Sequence, residues 1–190
     1  PLARDATSAR RQVKTLRDKE ADAIIMAVYS AGATQIFQAK EDVDWDGLLV
    51  SSGPLTDEQY FQEAGESAVG TLGFCHYPSP TSSEADGVVE YRRQLEEYFP
   101  GRTPSRYSLY GYLMGNLVVE GLKRAGPNLT RDGFIDAMES IKDWDTGGAT
   151  PPISFSPTDH HAQSAGFICQ YVDGKFRPLT EGIEPEVPDP

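Results

Sequence analysis

Residues 21–52 read ADAIIMAVYSAGATQIFQAKEDVDWDGLLVSS, and the rhythm of this stretch decides the fold. Asp22–Val28 is a short, nearly continuous apolar run, the pattern of a strand buried on both faces. Ala31–Lys40 follows with helical spacing through Ile36 and Phe37, and Gly47–Ser51 is a second buried strand. Strand, helix and strand joined this tightly predict a parallel pair with a right-handed crossover.

The pattern extends in both directions. Upstream, Ala6–Lys19 is charged and amphipathic, with Val13 and Leu16 on one side, and reads as a helix. Downstream, Asp57–Ala64 reads as a short helix capped by Thr56. Val69–Tyr77, containing Gly70 and Gly73, reads as a third strand. This αβαβαβ order implies a parallel sheet covered by helices, an α/β fold.

At Tyr77-Pro78-Ser79-Pro80-Thr81-Ser82-Ser83 the pattern breaks, because the prolines stop any helix. Three helical segments follow with no strand between them. Glu84–Phe99 carries Val88, Val89, Tyr91, Leu95 and Tyr98. Tyr107–Ala125 is the most apolar, through Leu109, Leu113, Leu117, Val118 and Leu122, and stops at Gly126-Pro127. Thr130–Ile141 opens on a capping threonine and presents Phe134, Ile135, Met138 and Ile141. The remainder is β-like: Ile153–Phe155 is a short strand, Ala165–Val172 a longer one, and Asp173-Gly174 turns into Lys175–Arg177. Glu181–Pro190 is acidic and proline-rich and reads as a mobile tail. The wide apolar faces of the middle helices either pack on each other or cover a sheet that these residues do not contain. The second arrangement fits better, since the αβ rhythm starts in the middle of a fold.

Composition narrows the function classes. With 190 residues and a formal net charge of −12, the chain carries enough apolar residues for a core and a surface that repels nucleic-acid phosphates. No segment is apolar and long enough to span a bilayer. The sequence opens on Pro1-Leu2-Ala3-Arg4-Asp5 without a basic-then-apolar signal segment, so targeting information is expected upstream or already removed. The cysteines, Cys75 and Cys169, lack metal spacing; from spacing alone, two separate thiols are favoured over a disulfide. Cys75 and His76 are neighbours on a strand and point to opposite faces, which disfavours a nucleophile–base pair. Asp159-His160-His161 lacks a third ligand at metal spacing, and Gly147-Gly148 lacks the setting of a phosphate loop. The sequence therefore predicts no catalytic set, no metal and no cofactor.

The block Gly147-Gly148-Ala149-Thr150-Pro151-Pro152-Ile153-Ser154-Phe155-Ser156-Pro157-Thr158-Asp159-His160-His161 resembles the G-x-x-x-P-I-x-F-x-x-x-D-H segment of type I periplasmic binding proteins, the branched-chain amino-acid-binding family of ABC importers. Phe167–Lys175 resembles the strand and D-G turn that follow it there. Tyr110–Gly126, Leu129–Ile141 and Ala21–Ala39 resemble further helices and strands of that family, in the right order. The resemblance implies two Rossmann-like lobes hinged around a ligand. Residues 1–79 are then most of the C-terminal lobe, 80–164 helices returning to the N-terminal lobe, 165–180 a hairpin completing the C-terminal lobe, and 181–190 a tail. The parallel sheet of the N-terminal lobe is absent from the chain.

Function is implied with the fold: extracytoplasmic or periplasmic capture of an amino acid, amide, carboxylate or aromatic acid, and delivery to the membrane permease of an ABC importer. The same fold also serves as a ligand-sensing domain of receptors or regulators. Ligands of open α/β sheets sit beyond the carboxyl ends of the strands. This singles out Tyr29, Ser30 and Ala31 after the first strand and Ser52 and Gly53 after the second, with Tyr77 at the connector and Tyr107 at the head of the long helix. Amino-acid binders of the family often carry a carboxylate at the Ser52 position. Serine there points away from an ammonium-bearing ligand, unless Asp57 or Glu58 substitutes. The resemblance also brings the strands of Cys75 and Cys169 together, which permits a disulfide in an oxidising compartment.

Overall fold

The computed structural model describes residue 3, residues 6–162 and residues 165–183. The chain divides into two compact units, one drawn from Pro1–His76 and Phe167–Gly182, the other from Tyr77–Gly166 and Ile183–Pro190.

The first unit contains α1 (Arg10–Arg17), β1 (Ala23–Met26), α2 (Ser30–Asp42), β2 (Leu48–Ser51), α3 (Glu58–Ala64), β3 (Leu72–Cys75), β4 (Phe167–Val172) and β5 (Lys175–Pro178). The five strands lie in the order β1-β2-β3-β4-β5. The first three are parallel, with Met26 opposite Ser51 and Ser51 opposite Gly73. The returning hairpin is antiparallel to β3. Its tight turn places Asp173 (φ 53°) and Gly174 (φ 76°) in the left-handed region that a two-residue hairpin demands.

Alternate strand residues build the core. Ile24, Met26, Leu49, Cys75, Cys169, Tyr171 and Phe176 meet Val13 of α1, Phe37 of α2 and Phe61 of α3. The ring of Phe61 is the centre, with centroids of Phe37, Tyr171 and Phe176 at 5.1, 4.9 and 4.7 Å. A buried ring of this kind contributes about 1.5–3 kcal/mol by area alone, with a further increment from tilted ring pairs.

Two expectations are corrected in this unit. The first two strands are buried on one face, not two: Ile25 is 78% and Leu48 39% exposed. The core residues of α1, α2 and α3 all join the opposite side of the sheet, so the apolar run reflects a second face that the described residues leave uncovered. The cap of α3 is Asp57, whose side chain accepts from the Gln59 amide. Thr56 is buried and donates to the Gly53 carbonyl at 2.8 Å. Cys75 and Cys169 are joined in a disulfide across β3 and β4.

The second unit is mainly helical, with α4 (Asp86–Tyr98), α5 (Arg106–Ala125) and α6 (Arg131–Glu139). Val88, Tyr91, Leu109, Leu113 and Ala149 form one cluster; Leu117, Ile141, Ile153 and Phe155 form another. Helix α5 starts on a reciprocal cap: Ser105 Oγ accepts from the Ser108 amide and Ser108 Oγ from the Ser105 amide. Elsewhere on the helix Tyr107, Tyr110, Val118, Val119 and Leu122 are between 41 and 49% exposed. Ile153–Phe155 is not a strand: Ile153 makes one bridge, with Trp144. The Phe155 amide turns to the Ile141 carbonyl, and Ser154 Oγ accepts from Asp143. The segment that follows α6, Ile141 to Trp144, thus takes the bonds that a strand partner would make. The tail expected over Glu181–Pro190 lies, after Ile183, outside the described residues.

Candidate ligand-binding site

The parallel strands end side by side. In register, Met26, Ser51 and Gly73 form a row, and the segments leaving it carry Tyr29, Ser52, Gly53 and His76. Each has a local reason for its place. Tyr29 is extended (φ −88°, ψ 171°) because it precedes α2 as its N-cap, and its ring is 77% exposed. Ser30 and Ala31 form the first turn of α2, where amide groups point out of the helix. Ser52 introduces a single 3-10 turn, Gly53–Leu55, its carbonyl accepting from the Leu55 amide at 3.0 Å.

Gly53 is buried, and space rather than backbone angle requires the glycine. A methyl group placed on it meets His76 Cδ2 and Nε2 each at 2.9 Å and the Phe74 carbonyl at 3.3 Å. The imidazole also meets Phe74 edge-on, centroids 4.9 Å apart and planes at 84°. His76 is therefore packed against a glycine and a phenylalanine at the carboxyl end of β3. Sequence reading reaches this residue only as a rejected partner for Cys75. The available signal is its place just past the third strand, equivalent to that of Ser52 after the second.

The carboxylates nearest in sequence are committed elsewhere. Asp57 is 2% exposed and caps α3 through the Gln59 amide at 3.1 Å. Glu58 is 4% exposed and accepts from the Phe176 amide of β5 at 3.3 Å. Burial of Tyr171 raises its phenol pKa, and the Glu58 charge adds to the effect.

Tyr77 and Tyr107 belong to the other unit. Tyr77 is half-buried, with the Arg106 guanidinium 5.3 Å from its ring centroid and Tyr110 at 6.1 Å. Burial holds its pKa above the usual phenol value, Tyr110 pushes the same way, and Arg106 opposes both. Tyr107, the second residue of α5, is 49% exposed. The same unit has a cavity of about 230 Å³ lined by Tyr91, Leu95, Tyr98, Phe99, Ser108 and Tyr112, none of them expected at a binding site from the sequence. His160 bonds Glu139 at 2.9 Å and His161 bonds Asp159 at 3.2 Å. No cluster of three or more metal-ligating side chains occurs among the described residues.

In chemical terms the strand ends offer hydroxyls, an imidazole and helix-terminal amides, groups that can hold a polar solute. Known proteins agree with the architecture. A branched-chain amino-acid ABC transporter protein from Thermus thermophilus with bound valine superposes with a TM-score of 0.83 at 15% identity, covering 94% of this chain and 50% of that one. A fatty acid ABC transporter substrate-binding protein from Thermomonospora curvata gives 0.83 at 20% identity, covering 96% and 48%. A solute-binding protein from R. palustris in complex with benzoate gives 0.78 at 17%, covering 97% and 50%. The chain thus spans about half the length of these structures. No curated protein matches the sequence. A family model described as periplasmic binding protein matches residues 1–175, so a helix-backed parallel sheet with a returning hairpin and a helical second unit is here the type I fold of a member of the periplasmic binding protein family.

Proposed function

We propose that the chain is the C-terminal part of an extracytoplasmic carrier that captures a small solute between two lobes and hands it to the permease of an ABC importer, without catalysing a reaction. The observation that carries this reading is the row of strand ends bearing Tyr29, Ser52 and Gly53 at the carboxyl edge of the parallel sheet, where open α/β folds bind ligands. In this reading residues 1–79 and 165–180 belong to the C-terminal lobe and 80–164 to the N-terminal lobe, whose sheet lies in the remainder of the protein. Tyr77 and Tyr107 then face the ligand from the hinge and the second lobe. The part-exposed apolar residues of α5 support the assignment, since Tyr110, Val118, Val119 and Leu122 are apolar enough to back a sheet. Closure follows when one solute contacts both lobes and so favours the closed population. The related proteins named for valine, fatty acid and benzoate set the range of solutes to try.

Thermal-shift screening of the whole protein against amino acids, amides, fatty acids and aromatic acids tests the reading. A ligand at 100-fold its Kd stabilises by about 2.7 kcal/mol, a rise of several degrees. A saturating screen in which no compound moves the melting temperature would sink it.

A further inference from the structure

Resting on that capture reading, we propose that His76 is a ligand-contacting, specificity-determining residue, and that the site takes a carboxylate without an accompanying ammonium group. Three observations converge. First, β3 is the third parallel strand, so His76 leaves the sheet beside the segment that carries Ser52 and Gly53, with Tyr29 following the strand on the far side of β2. Second, the imidazole is held rather than loose: Gly53 leaves the room its Cδ2–Nε2 edge occupies, and Phe74 meets it edge-on. A fixed donor loses less entropy on binding than a mobile one.

Third, the segments between these strands and the next elements are short of acceptors for a cation. Residues 27–29, 52–57 and 76 contain one carboxylate, Asp57, and Glu58 follows it. Both are buried and hold backbone amides, of Gln59 and Phe176 respectively. Swinging Glu58 toward a ligand would leave the buried Phe176 amide unpaired, and swinging Asp57 would uncap α3, both costly. Tyr29, Ser52 and His76 at this edge can each donate a hydrogen bond to a carboxylate, and none of them carries a negative charge to offset an ammonium group.

The test is calorimetric titration of the whole protein with matched pairs: 4-methylpentanoate against leucine, and benzoate against benzylamine. The carboxylate that binds should exceed its ammonium-bearing partner at least tenfold. His76→Ala should weaken that carboxylate about tenfold or more, the loss of one hydrogen bond to a charged group. His76→Gln, which restores an N–H donor, should recover part of the loss. Gly53→Ala, which displaces the ring without touching its chemistry, should weaken binding as His76→Ala does. Tighter binding of leucine or benzylamine overturns the carboxylate assignment and leaves solute capture standing. Unchanged affinity in both His76 variants removes His76 from the site. A panel in which nothing binds, together with a silent thermal screen, overturns the capture reading and this inference with it.

Discussion

Gly87 shows how tightly single positions are specified. Its amide donates to the Gly147 carbonyl at 2.8 Å, and a Cβ at this position would lie 1.9 Å from the Thr146 carbonyl oxygen. The obstacle is backbone, so α4 or the 146–148 loop must move. Gly87→Ala should destabilise by about 1–3 kcal/mol, measured by urea unfolding; an unchanged midpoint would mean the loop yields freely. Tyr77 gives a prediction in pH. Its pKa is raised by burial and by Tyr110, so the native state keeps the proton that the unfolded chain releases near pH 10. The stability tied to the neutral phenol is full below that pH and is lost as pH rises through the folded pKa. Absorbance at 295 nm should show a tyrosine titrating above pH 10 that disappears in Tyr77→Phe. Neither environment was legible in the sequence: Gly87 is fixed by a loop sixty residues away, and Tyr77, though named from its place at the connector, takes its surroundings from Arg106 and Tyr110, whose approach no spacing rule encodes.

Elements depend on their first residues. In α5 the Ser105–Ser108 pair satisfies two backbone amides, and Tyr91 OH joins Ser108 Oγ at 2.6 Å, tying α4 to the same cap. Ser105→Ala should cost about 1–2 kcal/mol, read from chemical denaturation. A loss below a few tenths would show that Tyr91 and Ser108 hold the helix start alone. Periodicity made the three parallel strands and most helices legible, because apolar spacing is a local property. Caps were less so: Thr130 accepts from Gly133 at 3.0 Å as the sequence suggests, whereas Thr56 gives way to Asp57. Threonine and aspartate are both good caps, and choosing between them depends on whether Thr56 is needed by the Gly53 carbonyl. Ile153–Phe155 misled for a related reason, since β-branched and aromatic residues suit any half-buried extended segment.

For the whole molecule, the sequence locates strand ends but not their occupants. Tyr29, Ser52 and Gly53 follow from counting along parallel strands, while His76 needed the third strand's register and the space above Gly53. The apolar runs of β1 and β2 overstate burial, because an apolar run alone does not tell whether one face of a strand is covered or two. The disulfide Cys75–Cys169, with a sequence separation of 94, should contribute about 2–4 kcal/mol by restricting the unfolded chain. Adding a thiol reductant should lower the melting temperature of the whole protein by several degrees, and Cys75→Ala with Cys169→Ala should abolish the reductant's effect. The bond joins the last residue of β3 to the third of β4, and so clasps the two ends of the excursion through residues 77–166. A single protease cut anywhere in that excursion adds one water to the mass and liberates no fragment until the clasp is reduced, so damage to the helical half leaves its pieces tethered to the sheet.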